Sequence, residues 1–271
     1  MKYSIDELKE IAKDIRRKII DSVYSGQSGH PGGALSCADI LTYLYFNEMN
    51  IDSTKPNMED RDRFVFSKGH ASSAIYAVLA TKKFFPVEEL KKFRKIDSYL
   101  QGHPDMNKIP GVDMTSGSLG QGLSVANGMA LAGRLDNKDY YVYVVLGDGE
   151  IEEGQVWEAA MTSAHYKLNK VIAFVDFNGL QIDGEVKEVM NVTPIKEKFE
   201  AFGWNAIEID GHNFEEIQNA IKLAKESIDK PTVIVAHTVK GKGISFMENQ
   251  VGWHGKAPND EEYRLACEEL R

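Results

Sequence analysis

Asp148 stands between Gly147 and Gly149 at the end of an apolar run, Tyr140 to Leu146. Asn178 ends a second such run, KVIAFVDFN. A carboxylate and an amide oxygen are hard donors of the kind magnesium prefers, and magnesium uses few protein ligands when phosphate and water supply the rest. The flanking glycines allow a sharp turn and a close approach of backbone to phosphate. The chain must turn again at Leu180, whose carbonyl offers a third oxygen. An ordinary Asp-Gly turn would explain Asp148 taken alone; Asn178 at the end of a neighbouring strand favours a metal. A second group is His30, His70, His103 and His254, each beside a glycine in a loop. Imidazole suits proton handling near neutral pH. One loop histidine is ordinarily structural or exposed, but four beside the metal loops read as a site. His165 and His212 read as packing or loop residues, and His237 as a weaker pocket candidate. Glu150, Glu152, Glu153 and Glu158 follow Asp148 closely, and acids in such a run are ordinarily solvated surface.

The elements that must position these groups alternate strand with helix. Ser4 and Glu7 match a capping box ahead of a helix from Ile5 to about Tyr24, with Ile5, Leu8, Ile11, Ile15 and Ile19 as its apolar stripe. ALSCADILTYLYF reads as one buried helix. RFVF reads as a short strand, followed by a turn at Gly69-His70 and a helix rich in small residues. Pro86 to about Asp97 reads as a further helix, and SVANGMALAGRLD as another. Beyond the two apolar strands, GWNAIEIDG and PTVIVAHTVKGKG read as strands and NFEEIQNAIKLAKES as a helix. Thr193 is placed to cap a helix with Pro194 at its first position. A terminal helix covers DEEYRLACEELR. The pattern predicts an α/β fold, an open, mostly parallel sheet with helices on both faces. One domain over 1–271 is the simplest division, with ligands expected beyond the carboxyl ends of the strands.

Composition narrows the function. Apolar residues make up 42% of the chain and charged residues 27%, as in globular proteins. A formal net charge of -9 argues against nucleic acid bound through a broad basic surface. There is no apolar run of membrane-spanning length and no signal-peptide core. Cys37 and Cys267 have no metal-ligand spacing and read as reduced thiols of a cytoplasmic protein. Neither the dinucleotide fingerprint nor a phosphate loop ending in Gly-Lys-Ser/Thr occurs around Asp148.

The GDG at 147–149, with FN at 177–178, resembles the thiamine diphosphate signature of the transketolase family. More specific are His30-Pro31, Ser67-Lys68-Gly69-His70, Gly102-His103-Pro104, the segment from Thr115 to Gly122, that from Gly147 to Ala159, Lys240 to Gly243 and Trp253-His254-Gly255. They stand in family order across nearly the whole chain. The resemblance implies thiamine diphosphate as cofactor, with Asp148, Asn178 and the Leu180 carbonyl on a bridging Mg2+, for which Ca2+ or Mn2+ can substitute. It implies Gly147 and Gly149 beside the diphosphate, and His70 and His254 flanking diphosphate and thiazolium. Gly117 and Leu119 would meet the aminopyrimidine. His30, His70, His103 and His254 would line the substrate channel, with His103 the strongest candidate to stabilise the intermediate. Glu153 and Glu158 would lie buried at a subunit contact linking two cofactors, while Glu150 and Glu152 read as surface or loop-stabilising residues rather than metal ligands. Lys240 and Lys242 would lie near the channel without being catalytic.

A whole transketolase also carries a pyrimidine-binding domain, with the glutamate that activates the cofactor, and a smaller third domain. This chain would then be the N-terminal subunit of a split enzyme, an α2β2 assembly with a C-terminal subunit, transferring a two-carbon ketol group between sugar phosphates. The alternatives are a truncated fragment of a longer enzyme, a relative resembling deoxyxylulose-phosphate synthase, a transketolase specialised for another sugar, and a noncatalytic cofactor-binding subunit.

Overall fold

Along each central strand, successive side chains enter two different cores. The computed structural model describes residues 2–271. Its strands are β1 (Arg63–Phe66), β2 (Val142–Gly147), β3 (Val171–Phe177), the two-residue β4 (Leu180–Gln181) and β5 (Gly184–Glu185), β6 (Asn205–Asp210) and β7 (Thr232–His237). Five form one sheet in the order β1-β2-β3-β7-β6, every pairing parallel. β4 and β5 form a separate antiparallel hairpin. The predicted α/β fold is thus observed.

The helices are α1 (Ile5–Gly26), α2 (Pro31–Ser36), α3 (Ala38–Tyr43), α4 (Ser72–Thr81), α5 (Gln121–Leu135), α6 (Gly154–His165), α7 (Val186–Val189), α8 (Ile195–Ala201), α9 (Phe214–Lys225) and α10 (Asp260–Glu269). Phe64, Phe66, Tyr143, Val145, Ile172 and Phe174 point to one face, against α1, α3, α4 and α9. Val65, Val144, Leu146, Ala173, Val175 and Val235 point to the other, against α5, α6 and α8. Both faces are therefore dry, which is why the strands read as continuous apolar runs. Each fully buried large side chain contributes about 1.5–3 kcal/mol. Truncating Phe174, which has no exposed surface, would cost about 3–5 kcal/mol.

Local chemistry explains where the elements begin. Ser4 and Glu7 make the expected capping box, and Leu8, Ile15, Ile19 and Val23 bury the stripe of α1. Asn213 caps α9 by accepting from the amides of Glu215 and Glu216.

Three expectations differ from the structure. The segment read as one helix after Gly33 breaks at Cys37, where ψ of 4° leaves the helical basin. The break lets the Ser36 hydroxyl donate to the buried Asp176 carboxylate at 2.6 Å. Instead of a helix from Pro86 to Asp97 there is a short 3-10 turn, Val87–Lys92. Arg94, at φ 56°, cannot continue a right-handed helix. Thr193 does not cap α8: its hydroxyl donates to the Asn191 side chain at 2.7 Å, and Pro194 takes the cap position itself.

Candidate active site

Because the five strands run in one direction, their carboxyl ends share one rim, and the polar loops collect there. β2 and β3 are neighbours in a register that sets Gly147 opposite Asp176. That register brings Asp148 beside the turn that follows β3. The Asp148 carboxylate accepts from the Gly179 amide at 2.6 Å and from the Gly149 amide at 2.9 Å. Gly179 takes φ of 75°, a value that favours glycine. The turn carries Asn178 and Leu180 to the same cleft, which Gly147, Asp148, Gly149, Asn178 and Leu180 all line. The Leu180 carbonyl accepts from Lys240 Nζ at 2.9 Å.

Three histidines line the same cleft. His30, His70 and His254 have mutual ring separations of 5.3, 5.5 and 5.5 Å, with His70 and His254 stacked. Burial pushes the pKa of His30 down to about 4, helped by the positive charge of Arg94. Burial and then Lys240 push His254 down to about 3. His70 falls well below its usual value through burial and Lys68. These rings are neutral at physiological pH, so each has one nitrogen that donates and one that accepts. Lys240 Nζ lies 2.9 Å from His254 Nδ1. An ammonium only donates, so Nδ1 accepts and Nε2 of His254 carries the proton. Burial and then the charge of Lys68 lower the Lys240 pKa to about 8.

Gly117 and Leu119 line the same cleft. Gly117 takes φ of 145°, and a Cβ there would meet the His103 ring at 3.0 Å. His103 itself is solvent-exposed and stands at the rim, apart from the other three. Burial of part of its ring, then Arg94, lower its pKa. Glu153 and Glu158 do not line the cleft: both are exposed at the surface of α6 and its N-terminus. Within this chain they are therefore not buried.

Of the two readings of Glu150, surface or loop-stabilising, the structure shows the second. Only 3% of it is exposed. Its carboxylate accepts from the Ser67 hydroxyl and, at 2.9 Å each, from the amides of Gly120 and Gly147. It thus ties the loops after β1 and β2 to the start of α5. Glu152 accepts from the Gln181 side chain at 2.8 Å, holding the β4–β5 hairpin to the Asp148 loop.

Sequence reasoning also missed the floor of the site. Lys68 Nζ pairs with the Asp176 carboxylate, and neither side chain reaches solvent. Burial opposes both charges, but their attraction prevails: the Lys68 pKa is raised and that of Asp176 lowered. The signal available in the sequence was a charged residue, Asp176, inside an otherwise apolar strand. His212 proves to be structural, bonding Asp39 at 2.7 Å through Nδ1 and accepting from the Val239 amide at 2.9 Å through Nε2. His237 is exposed and does not line the cleft.

The donor chemistry fits a metal–diphosphate group. A carboxylate, an amide oxygen and a carbonyl are the hard oxygens that Mg2+ takes alongside phosphate. Gly33 lines the same cleft, where a Cβ would make ordinary contact with Lys68 Nζ and His70 Nε2. Among the described residues no group of three or more His, Cys, Asp or Glu side chains converges on a metal position; a mixed oxygen set of this kind needs none. Nor is any helix among them long and apolar enough to cross a membrane.

A parallel sheet with oxygen donors on adjacent strand ends and neutral histidines in the same cleft defines an α/β domain with a polar site at its carboxyl rim. The chain belongs to the transketolase family: residues 7–270 match the model "Transketolase, thiamine diphosphate binding domain". It is 43% identical over 264 residues to the 6-deoxy-6-sulfo-D-fructose transketolase subunit SqwG of a Clostridium species (strain MSTE9), covering 97% of this chain and 96% of that protein. It is 40% identical over 266 residues to one subunit of the apulose-4-phosphate transketolase of Phocaeicola vulgatus, covering 98% of this chain and 94% of that one. Transketolase from Campylobacter jejuni superposes with a TM-score of 0.93 at 35% identity, over 99% of this chain but 43% of that one. The chain thus spans less than half the length of the solved transketolases it matches, and nearly all of the relatives named as subunits.

Proposed function

We propose that this chain is the diphosphate-binding subunit of a two-subunit transketolase specialised for a particular sugar, rather than a general ketose-phosphate transketolase. Two observations support the reading: Asp148, Asn178 and Leu180 line one cleft with three neutral histidines, and the chain is similar over nearly its whole span to relatives named as transketolase subunits. The whole chain acts as one cofactor-binding domain. When bound, thiamine diphosphate supplies the electron sink for carbon–carbon cleavage.

The chain's own residues bind and orient. Asp148, Asn178 and Leu180 hold a divalent cation, Mg2+ by preference, and the backbone at Gly147 and Gly149 lies against the diphosphate. Gly117 and Leu119 flank the aminopyrimidine. His70 and His254 stand beside the diphosphate and ring. His30 offers a hydrogen bond to a substrate oxygen from the cleft wall, and His103 does so from the rim. Neutral imidazoles can do this without placing a fixed positive charge beside the bond being broken. Glu153 and Glu158, exposed here, become buried on assembly, where they link paired sites. A partner carrying the pyrimidine-binding domain and its glutamate completes an α2β2 enzyme.

The specialised reading draws on the relatives named for a sulfonated sugar and for apulose 4-phosphate. In both the substrate carries an anionic group. The test is reconstitution with the complementary subunit, thiamine diphosphate and Mg2+, followed by two-carbon transfer from a panel of ketoses with sulfonate or phosphate termini. Preference for one unusual donor over xylulose 5-phosphate supports the reading, and equal use of common ketose phosphates would return it to general transketolase chemistry. Transfer at full rate by this chain alone would refute the partner requirement.

A further inference from the structure

Arg94 joins the two loops that carry His30 and His103. Its Nη1 donates to Ser28 Oγ at 2.8 Å, and its Nη2 lies 3.3 Å from His30 Nδ1. On the other side, a Cβ at Gly102 would lie only 3.2 to 3.3 Å from the guanidinium atoms. The guanidinium is thus packed against the backbone that leads into His103. Arg94 reaches this place because its own backbone turns left-handed, at φ 56°, with its amide donating to Leu100 O at 2.8 Å.

A guanidinium has only donors and does not lose its proton in proteins. His30 Nδ1 must therefore accept, and in the neutral ring the proton resides on Nε2. His30 lines the cleft between His70 and His254. The charges of His103 and Lys240 also bear on the ring, and the His70 backbone favours its protonated form through a hydrogen bond. We propose that Arg94 is a positioning residue: it fixes His30 as the Nε2–H tautomer and holds the His103 loop in register with it. This rests on the proposed role of His30 toward a substrate oxygen, but the tautomer can be tested without substrate.

The experiment begins with the unmodified full chain, labelled with 15N-histidine, and reads ring tautomers from long-range proton–nitrogen correlations. His30→Gln assigns the signal. The expected result is a single Nε2–H tautomer for His30; an Nδ1–H ring or an even mixture overturns the proposal before any Arg94 variant is made. Arg94→Met should then give mixed tautomers, while Arg94→Lys, which keeps a donor, should restore Nε2–H at least in part. In the reconstituted enzyme, Arg94→Met should lower kcat/KM for the ketose donor about tenfold, the worth of one hydrogen bond, with the dissociation constant of thiamine diphosphate unchanged. Equal loss of cofactor affinity, or a wild-type tautomer in Arg94→Met, would also overturn it. Absence of ketol transfer by the unmodified enzyme would count against the proposed function alone, leaving the tautomer result standing.

Discussion

Lys68 and Asp176 meet beneath the site as an ion pair with neither side chain reaching solvent. Ser36 and Thr238 also donate to Asp176, so the carboxylate is fully engaged by three different segments. Burying two charges costs several kcal/mol per ion, and the pair repays this only when geometry and further hydrogen bonds are good.

Removing one partner should therefore be severe. Lys68→Met leaves Asp176 charged, buried and without its counter-ion, and should cost about 3–5 kcal/mol in denaturant unfolding. Lys68→Met with Asp176→Leu should recover most of that loss. A double variant no more stable than the single one would show that the pair is not the source of the effect.

Glu150 makes a different prediction. Glu150→Ala strands the amides of Gly120 and Gly147 and the Ser67 hydroxyl. An unsatisfied buried polar group costs about 1–3 kcal/mol, so a drop of at least that size is expected in the unfolding free energy. Glu150→Gln, which keeps one acceptor oxygen, should lose less. A surface residue would show neither effect.

Asp148 and Glu150 mark where the sequence was legible and where it was not. The strand-end glycines, Asp148 and Asn178 announced themselves because they interrupt apolar runs. Glu150 stood among other acids in a run indistinguishable from a solvated face. Its burial depends on Ser67 and Gly120, which lie far away in the chain, and no local pattern reports such a contact. Arg94 was hidden for the same reason. Its left-handed backbone replaces the helix that the residues around it favour by propensity. The order of strands was partly legible, since strands alternating with helices imply a parallel sheet; that β7 lies between β3 and β6 was not.

The metal reading is tested by Asp148→Asn. The amide loses the charge and keeps one oxygen, so it can accept from only one of the Gly179 and Gly149 amides, which bond different oxygens of the carboxylate. Thiamine diphosphate affinity in Mg2+, measured by calorimetry on the chain with its partner, should fall by about 10- to 100-fold or more. The affinity without metal should change little. Equal affinities for the variant and the native chain in Mg2+ would remove Asp148 from the ligand set.

Acid should destabilise the chain through His30. Its folded pKa, about 4, lies below the usual value of 6.5. Between these values the unfolded state binds more protons, so stability falls as pH drops from about 6.5 toward 4. Asp148, raised to about 6 by burial and then by Asp176, has the opposite sign because its folded form binds the proton first. A comparison of the native chain with His30→Gln isolates the histidine: the variant should lose less of its melting temperature across that window. Parallel curves would mean that His30 is protonated as easily folded as unfolded.

The common direction of the five strands divides the molecule into a chemical end and an inert one. Turns at the amino ends of the strands, such as Asp136-Asn137 and Asp229-Lys230, are exposed and lie a full strand length from the cleft. A dye, an affinity handle or a surface tether belongs there, on exposed turns away from the cleft. The same addition beside Gly179 or Gly241 would fall on the loops that carry the cleft. For immobilising this chain or reporting on its assembly, strand polarity is the map to follow.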